Sequence, residues 1–512
     1  MKFSLLALSV LSLVNADNND SRRLSLESIA GYAPGSQVTD HCAIDLDQEE
    51  IEKELAKASN ESFLLAKRIY NQGAHSKSYA EVLLSNGLSA PVAKGKAISG
   101  KDSQGREVSG VTYAAYSAGD TTIRFEYGTS DIQSSYVNCQ VGALGAAGNL
   151  DGCLAASGSI TMEGSTEYSY TYDPTADNKN GRTIAGFSTQ AAEKMRNGND
   201  CPGCPYTDFM YFYDYYGADD YAHQWVSGAL DGTPTTMDNG NADFTKYTFT
   251  GRAEAVKKGT VFLNIFMYVI REFEDALDDC KKGCIDCNQD PVHAWDEGVC
   301  FYTGSIEGKD GLTLDGKLLH QLADKRCADF KTCGRDSGED KGTAKLNYDL
   351  LQKYELGKQQ LQASQCDDAR ITTAEVAKMM YIPFIQGTLR YAYKVDALNE
   401  GEKSAAEGAV FAAAILPRVH AANKDAAATI YESMKVGATQ TSYSEVKAAF
   451  ESVYSDLGLT CRDIGGLWND ALDEYYPGME PCGGAFSAAS STSSMAVTAI
   501  LGAAAALFIG FF

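Results

Sequence analysis

The stretch VFLNIFMYVIREFEDAL, residues 261–277, restricts the fold more than any other part of this chain. Its apolar residues cover most of the circumference of a helix, so that helix belongs inside a protein. A helix buried on every side needs other elements packed around it. The exceptions along it are Asn264, Tyr268, Arg271, Glu272 and Asp275, again at helical spacing. Buried charges must be paired or must coordinate something, and facing helices of a bundle build metal sites from inward Glu and His side chains.

The segment DPVHAWDEGVCFYTG, residues 290–304, brings such side chains close by in sequence. Asp290 followed by Pro291 is a helix start, a capping carboxylate and then Pro at the first helical position. On that helix Val292, Trp295, Val299 and Tyr302 form one stripe. His293, Asp296, Glu297 and Cys300 form its neighbour, at i, i+3, i+4 and i+7. One of the chain's 6 histidines thus lies within reach of two carboxylates. Phenolate, carboxylate and imidazole suit a hard trivalent ion such as Fe3+. A plainer reading stands beside this one: Arg271 pairs with Asp275, Glu272 meets a surface Lys, and His293 neighbours the helix cap.

The rest of the chain divides by texture. Residues 42 to about 90 read as helical, through DLDQEEIEKELAKASNESFLLAKRIYNQG and SYAEVLLSNG. From about 100 to 190, GVTYAAYS, TTIRFEYGTS and STEYSYTYDP have the composition of strands and turns. From about 205 to 475 the spacing is mostly helical. An internal echo links HAWDEGVCFYTGS to KSAAEGAVFAAAI, pairing Glu297 with Glu407, Gly298 with Gly408 and Phe301 with Phe411. Each copy follows an apolar helix ending in Asp-Ala-Leu. The expected fold is α+β and mainly α, with duplicated helical-bundle units and a Tyr/Gly-rich β segment inserted in the N-terminal half. Its expected divisions are a leader over 1–16, N-terminal helices with the β segment over 17–205, helical units over 206–345 and 346–482, and a spacer with a hydrophobic anchor signal over 483–512.

The ends lead to the expectation that the chain is exported. MKFSLLALSVLSLVNA has the charge, apolar core and small cleavage residues of a signal peptide. The C-terminal GGAFSAASSTSS and MAVTAILGAAAALFIGFF fit a lipid-anchor signal, with a tail-anchored helix as the alternative. An even 14 cysteines in an exported chain read as disulfides, Cys201-Pro-Gly-Cys204 and the Cys280, Cys284, Cys287 run included. Asn19 and Asn60 head glycosylation sequons. A net charge of −24 argues against nucleic acid as a partner.

The pairing of HAWDEGVCFYTG with AEGAVFAAAILP, after YYGADDYAHQWV in an exported cysteine-containing chain, resembles the algal low-iron-inducible periplasmic family. That family includes the iron-assimilating proteins of green algae and the phytotransferrins of diatoms. The resemblance runs from about residue 45 to 480 and is carried mostly by 206–304 and 374–420. It implies cell-surface capture of ferric iron for high-affinity uptake, with (bi)carbonate as a synergistic anion, on the outer face of a membrane. It does not pick out ligands. On helix geometry the candidates are Tyr268, Glu272, His293, Asp296 and Glu297, with Tyr391 and Glu407 of the second unit. That unit has Lys403 and Ala406 where the first has His293 and Asp296, so one site is as consistent as two. Arg271 and Arg390, both on apolar helices, are the anion candidates.

Protons compete with metal for these ligands, so affinity is expected to fall with acidity and release iron after uptake. No HExxH, nucleophile elbow, phosphate loop or dinucleotide fingerprint is present, and the chain is read as a binder rather than an enzyme. The alternatives are a metal-free adhesion glycoprotein and a metal-dependent surface enzyme. Nothing in the sequence identifies a surface reductase or an endocytic partner.

Overall fold

The computed structural model describes residues 28–482 apart from 37, 74–78, 106, 113, 127–154, 163–165, 173–181, 199–200, 283–290 and 314. The leader, Asn19, Asp290, residues 483–512 and Cys139, Cys153, Cys284 and Cys287 lie outside the described residues. The fold is mainly α with a small β element.

Helices α1 (Thr39–Cys42), α2 (Ile44–Leu55) and α3 (Asn60–Gln72) come first. Asn60 is exposed at the start of α3. Strands β1 (Tyr79–Leu84), β2 (Ala97–Asp102), β3 (Glu107–Thr112), β4 (Thr122–Glu126), β5 (Ser157–Met162) and β6 (Glu167–Thr171) follow. They close an antiparallel barrel in the order β1-β4-β3-β2-β5-β6, with β6 returning to β1 through Leu83–Thr171 and Leu84–Tyr170. The YAEVLL run, expected to be helical, is strand β1. Ala80, Val82 and Leu84 are buried in the barrel while Leu83 is exposed, so alternation rather than helical spacing decides the segment.

After the barrel come α4 (Ile184–Thr189), α5 (Thr207–Tyr216) and α6 (Tyr221–Asp231). A long rod follows, made of α7 (Phe249–Gly259), a π-helical turn (Thr260–Ile265) and α8 (Phe266–Lys282). Gln48 of α2 is wedged against that turn, donating to the Lys257 carbonyl at 2.9 Å and accepting from the Thr260 hydroxyl at 2.6 Å. A side chain inserted into the carbonyl ladder is a physical cause of such irregularity. The rod is the buried centre that its sequence demands: Val261, Phe262, Ile265, Phe266, Val269, Ile270 and Phe273 are all buried.

Around it lie α9 (Pro291–Thr303), α10 (Leu319–Phe330), α11 (Lys345–Gln362), α12 (Cys366–Met380), α13 (Ile382–Asp396), α14 (Glu402–Ala422), α15 (Lys424–Met434) and α16 (Tyr443–Glu451). The main apolar core runs from Tyr32 to Met479, and the barrel has its own. Helices α2 and α3 share the first core with those after the barrel, while Cys42 of α1 packs with Ile29, Val38 and Cys300 in a small cluster of its own. Disulfides join Cys42–Cys300, Cys201–Cys204, Cys280–Cys366, Cys327–Cys333 and Cys461–Cys482.

The two echoing segments form comparable packed pairs, α8 with α9 and α13 with α14. Each pair meets closely at a glycine. A Cβ on Gly298 would stand 2.6 Å from the Phe273 ring, and one on Gly408 would stand 2.9 Å from the Tyr391 Cβ. Phe273 is itself hemmed in by Trp295, with ring centroids 4.6 Å apart. Overpacking of this kind costs about 1–3 kcal/mol, against a helix-propensity gain of about 1 kcal/mol for Ala over Gly. Because Phe273 has little room to yield, Gly298→Ala is expected to lower stability by about 1–2 kcal/mol in denaturant unfolding. An unchanged midpoint would show that the α8–α9 contact is softer than its geometry suggests.

Candidate metal centre

Helix α9 presents His293 and Glu297 on one face, four residues apart. The third member of the site comes from far away in sequence. Cys42 at the end of α1 is cross-linked to Cys300 of α9, with Cα atoms 4.8 Å apart. This sets His41, one residue earlier, over the α9 face. His41 Nδ1 lies 2.6 Å from Glu297 Oε1, and His293 Nε2 lies 3.2 Å from the same oxygen. The two imidazoles meet edge to face, with centroids 5.5 Å apart. Among the described residues this is the one group of three His, Cys, Asp or Glu whose ligand atoms lie within 4.8 Å of one another.

The surrounding hydrogen bonds set the protons. Arg182 Nη2 is 2.9 Å from His41 Nε2. A guanidinium can only donate, so Nε2 accepts and the His41 proton sits on Nδ1, facing Glu297. On the other imidazole, His293 Nδ1 is 3.2 Å from Ser36 Oγ. That hydroxyl donates to Asp296 Oδ2 at 2.8 Å, which makes Ser36 the acceptor toward His293. A neutral His293 therefore turns its Nε2 lone pair toward Glu297, an arrangement that asks for a proton or a metal ion between them. Burial alone would raise the Glu297 carboxyl. The facing His41, and His293 once its Nε2 carries a proton to donate, hold it well below the usual carboxylate range.

The other candidate residues take different places. Asp296, adjacent to Glu297, points away and accepts from Tyr32 Oη at 2.5 Å, Gly35 N at 2.8 Å and Ser36 N at 2.7 Å. It orients His293 through Ser36 and is not brought to the cluster. Burial pushes its carboxyl up to about 6, against the pull of these donors. Tyr268 is stacked on Phe187 at 3.8 Å, and its hydroxyl accepts from Lys194 Nζ at 3.0 Å. Burial and then Glu272 push its phenol well above the ordinary value, so it stays protonated. Glu272 is buried and paired with Arg271 at 2.7 Å. Arg271 also reaches Asp275 at 3.2 Å, the helix pair its spacing allows. Two carboxylates thus occupy the guanidinium that was the first anion candidate.

In the second pair Tyr391 stacks on Phe411, and Glu407 lies 3.6 Å from Lys258. Arg390 is paired with Asp329 at 2.9 Å. This is a separate network of cations and carboxylates, and the structure does not bring Tyr391, Glu407 or Arg390 to His41, His293 and Glu297. The residues that sequence reading missed are His41, Ser36 and Arg182. The signal for His41 was its neighbour Cys42, which becomes informative only once its partner is known to be Cys300.

Fold, cross-links and site together define a mainly helical, disulfide-linked protein with a cluster of two imidazoles and one carboxylate. Residues 181–488, more than half of the chain, match the low iron-inducible periplasmic protein family, and the chain belongs to that family. His293 and Glu297 fall inside the matched residues, while His41 and the barrel precede them. No curated protein and no solved structure matches the chain. Membership is consistent with a role in iron assimilation and with the secretory route. Among the described residues no helix is long and apolar enough to cross a membrane.

If the cross-link positions His41, removing it should affect metal binding beyond its effect on folding. Cys42→Ser with Cys300→Ser is expected to keep the far-ultraviolet helical signal while metal affinity falls about tenfold or more, as when an orienting partner is lost. Unchanged affinity would mean that other contacts hold α1 in place.

Proposed function

We propose that this protein captures ferric iron at the cell surface for uptake and acts as a binder without turnover. The observation that carries the proposal is the convergence of His41, His293 and Glu297 in a member of a low iron-inducible family. Two imidazoles and a carboxylate accept iron, but a single carboxylate leaves most of the charge of Fe3+ unbalanced. A bound (bi)carbonate would supply further anionic oxygens.

Arg182 is the residue placed to hold that anion. It lies 3.9 Å from Glu297 and contacts His41. Metal on His41 Nδ1 displaces the proton there, and a neutral ring must then carry its proton on Nε2. Nε2 then no longer accepts from Arg182, and the positive guanidinium bordering the metal favours an anion there. In this reading the anion role falls to Arg182, which borders the cluster, rather than to Arg271, engaged with Glu272 and Asp275, or Arg390, engaged with Asp329.

Acidification returns protons to the imidazoles, and iron is released. The remaining parts of the proposal are a C-terminal tether to the outer face of the membrane, glycosylation at Asn60, and an origin of the α8–α9 and α13–α14 pairs by duplication. In that reading only the first pair gained imidazoles.

The test is ferric-iron titration of the purified chain, with and without bicarbonate, between pH 7.5 and 5.5. Histidines change charge in this range, and each displaced proton costs about tenfold in affinity per pH unit below its pKa. Affinity is therefore expected to fall by about one to two orders of magnitude over the interval. His41→Ala and Glu297→Gln should each abolish tight binding, and Arg182→Ala should remove only the bicarbonate dependence. Iron affinity that is flat with pH and unaffected by His41→Ala would overturn the assignment.

A further inference from the structure

A cavity of about 240 Å3 lies where the end of α10, the first turn of α11, the α12–α13 junction and residues 458–463 meet. Lys345 stands at its edge. Further along α11, Lys358 donates to the Ala33 carbonyl, in the segment that carries Ser36. At about 1.5 Å of rise per residue the two lysines are roughly 20 Å apart, so the cavity is distinct from the iron centre.

Three cations line it, Lys345, Lys378 and Arg462, together with the carboxylates of Asp349 and Asp463. Both carboxylates are committed. Asp349 is paired with Lys345, and Asp463 accepts from Thr460 N at 2.8 Å and Thr460 Oγ1 at 2.7 Å. Among the described residues the side chains of Lys378 and Arg462 have neither a hydrogen bond nor an ion-pair partner. The chain has 68 acidic residues against 44 basic ones, yet supplies no carboxylate to these two. Two unpaired positive charges on one cavity complement a ligand with two negative charges. Lys378 is half-buried, and its stem lies against Gly458, where a Cβ would stand 3.0 Å from Lys378 Cδ.

Two neutral groups narrow the ligand further. Gln386 lines the cavity and is only 2% exposed. Its Nε2 donates to the Ile464 carbonyl at 2.8 Å and to Thr332 Oγ1 at 3.3 Å. Both amide hydrogens are thus used, and Gln386 offers the cavity its carbonyl oxygen, which only accepts. Thr332, also on the lining, keeps its own hydroxyl hydrogen to donate. Leu346, Met379, Ile382 and Leu459 supply apolar wall between these groups. The Cys327–Cys333 and Cys461–Cys482 cross-links fix two of the walls. Pockets for drug-sized molecules measure about 300–1,000 Å3, so this one takes a smaller ligand.

We propose that this cavity binds a small hydroxy-dicarboxylate. The two carboxylates meet Lys378 and Arg462, with Thr332 donating to one of them, and the ligand hydroxyl donates to the Gln386 oxygen. The carbon chain covers the apolar wall. A plain dicarboxylate leaves the Gln386 oxygen without a donor, and inorganic phosphate leaves the wall uncovered.

The test is calorimetric titration of the iron-free full chain with L-malate as the probe, and with succinate and inorganic phosphate for comparison. Expected is one L-malate per chain. Succinate, which lacks only the hydroxyl, should bind about tenfold more weakly, and phosphate more weakly still. Arg462 is exposed, so Arg462→Gln puts no packing at risk; it should lower malate affinity about tenfold. Adding Lys378→Gln should abolish binding. Arg182→Ala should leave malate binding unchanged, and Arg462→Gln should leave ferric-iron affinity unchanged, so the two sites stand or fall separately. No malate binding, or binding that survives Arg462→Gln with Lys378→Gln, would overturn the proposal. So would loss of malate in Arg182→Ala, which would place it at the iron centre. Succinate or phosphate binding as tightly as malate would also overturn it, leaving only an unselective anion patch.

Discussion

The cross-link between Cys42 and Cys300 is the contact on which the centre depends. It spans a sequence separation of 258 residues, and closing a loop of that length by weak contacts alone carries a substantial entropic cost. With the cross-link made, the whole barrel becomes an excursion between two fixed points. Its own core is complete, so it places no demand on the packing of α9. His41 is thereby held by a covalent bond one residue away, rather than by the packing of a four-residue helix.

The centre also shows how one carboxylate is selected from two neighbours. Asp296 and Glu297 are adjacent, and their directions diverge about the helix axis by roughly 100°. Asp296 meets the 32–36 segment and becomes a support, while Glu297 meets His41 and Arg182 and becomes a ligand candidate. Helix spacing places His293 close to both acids, and this much was legible in the sequence. Which acid faces a second imidazole is decided by segments far away in sequence, so it was not. The burial of residues 261–277 was legible because nothing else can be done with a helix that is apolar nearly all round. The strand β1 was misread because a short apolar run satisfies either period until its neighbours are known.

The two helix pairs share a close glycine contact and a Tyr–Phe contact, edge-on between Tyr268 and Phe301 and stacked between Tyr391 and Phe411, yet their electrostatics differ. Around Glu297 the facing groups are imidazoles, which exchange protons and metals near neutrality. Around Glu407 they are Lys258 and the paired Arg390, which keep their charge. A carboxylate already matched by fixed cations has nothing to gain from a metal. Similar backbone packing is thus compatible with one responsive and one inert polar cluster, and the motif that repeats in the sequence is the packing motif.

The π-helical turn at Thr260–Ile265 acts as a phase shifter. It holds one residue more than a regular helix would, so every side chain after it is rotated by about 100° relative to those before it. The faces of α7 and α8 are therefore set independently, although they belong to one rod. Deleting a single residue there would leave α7 in place and swing Tyr268, Arg271 and Glu272 out of the polar interior together. The wedge of Gln48 against this turn is in effect the index mark that fixes the angular setting of the downstream half of the rod.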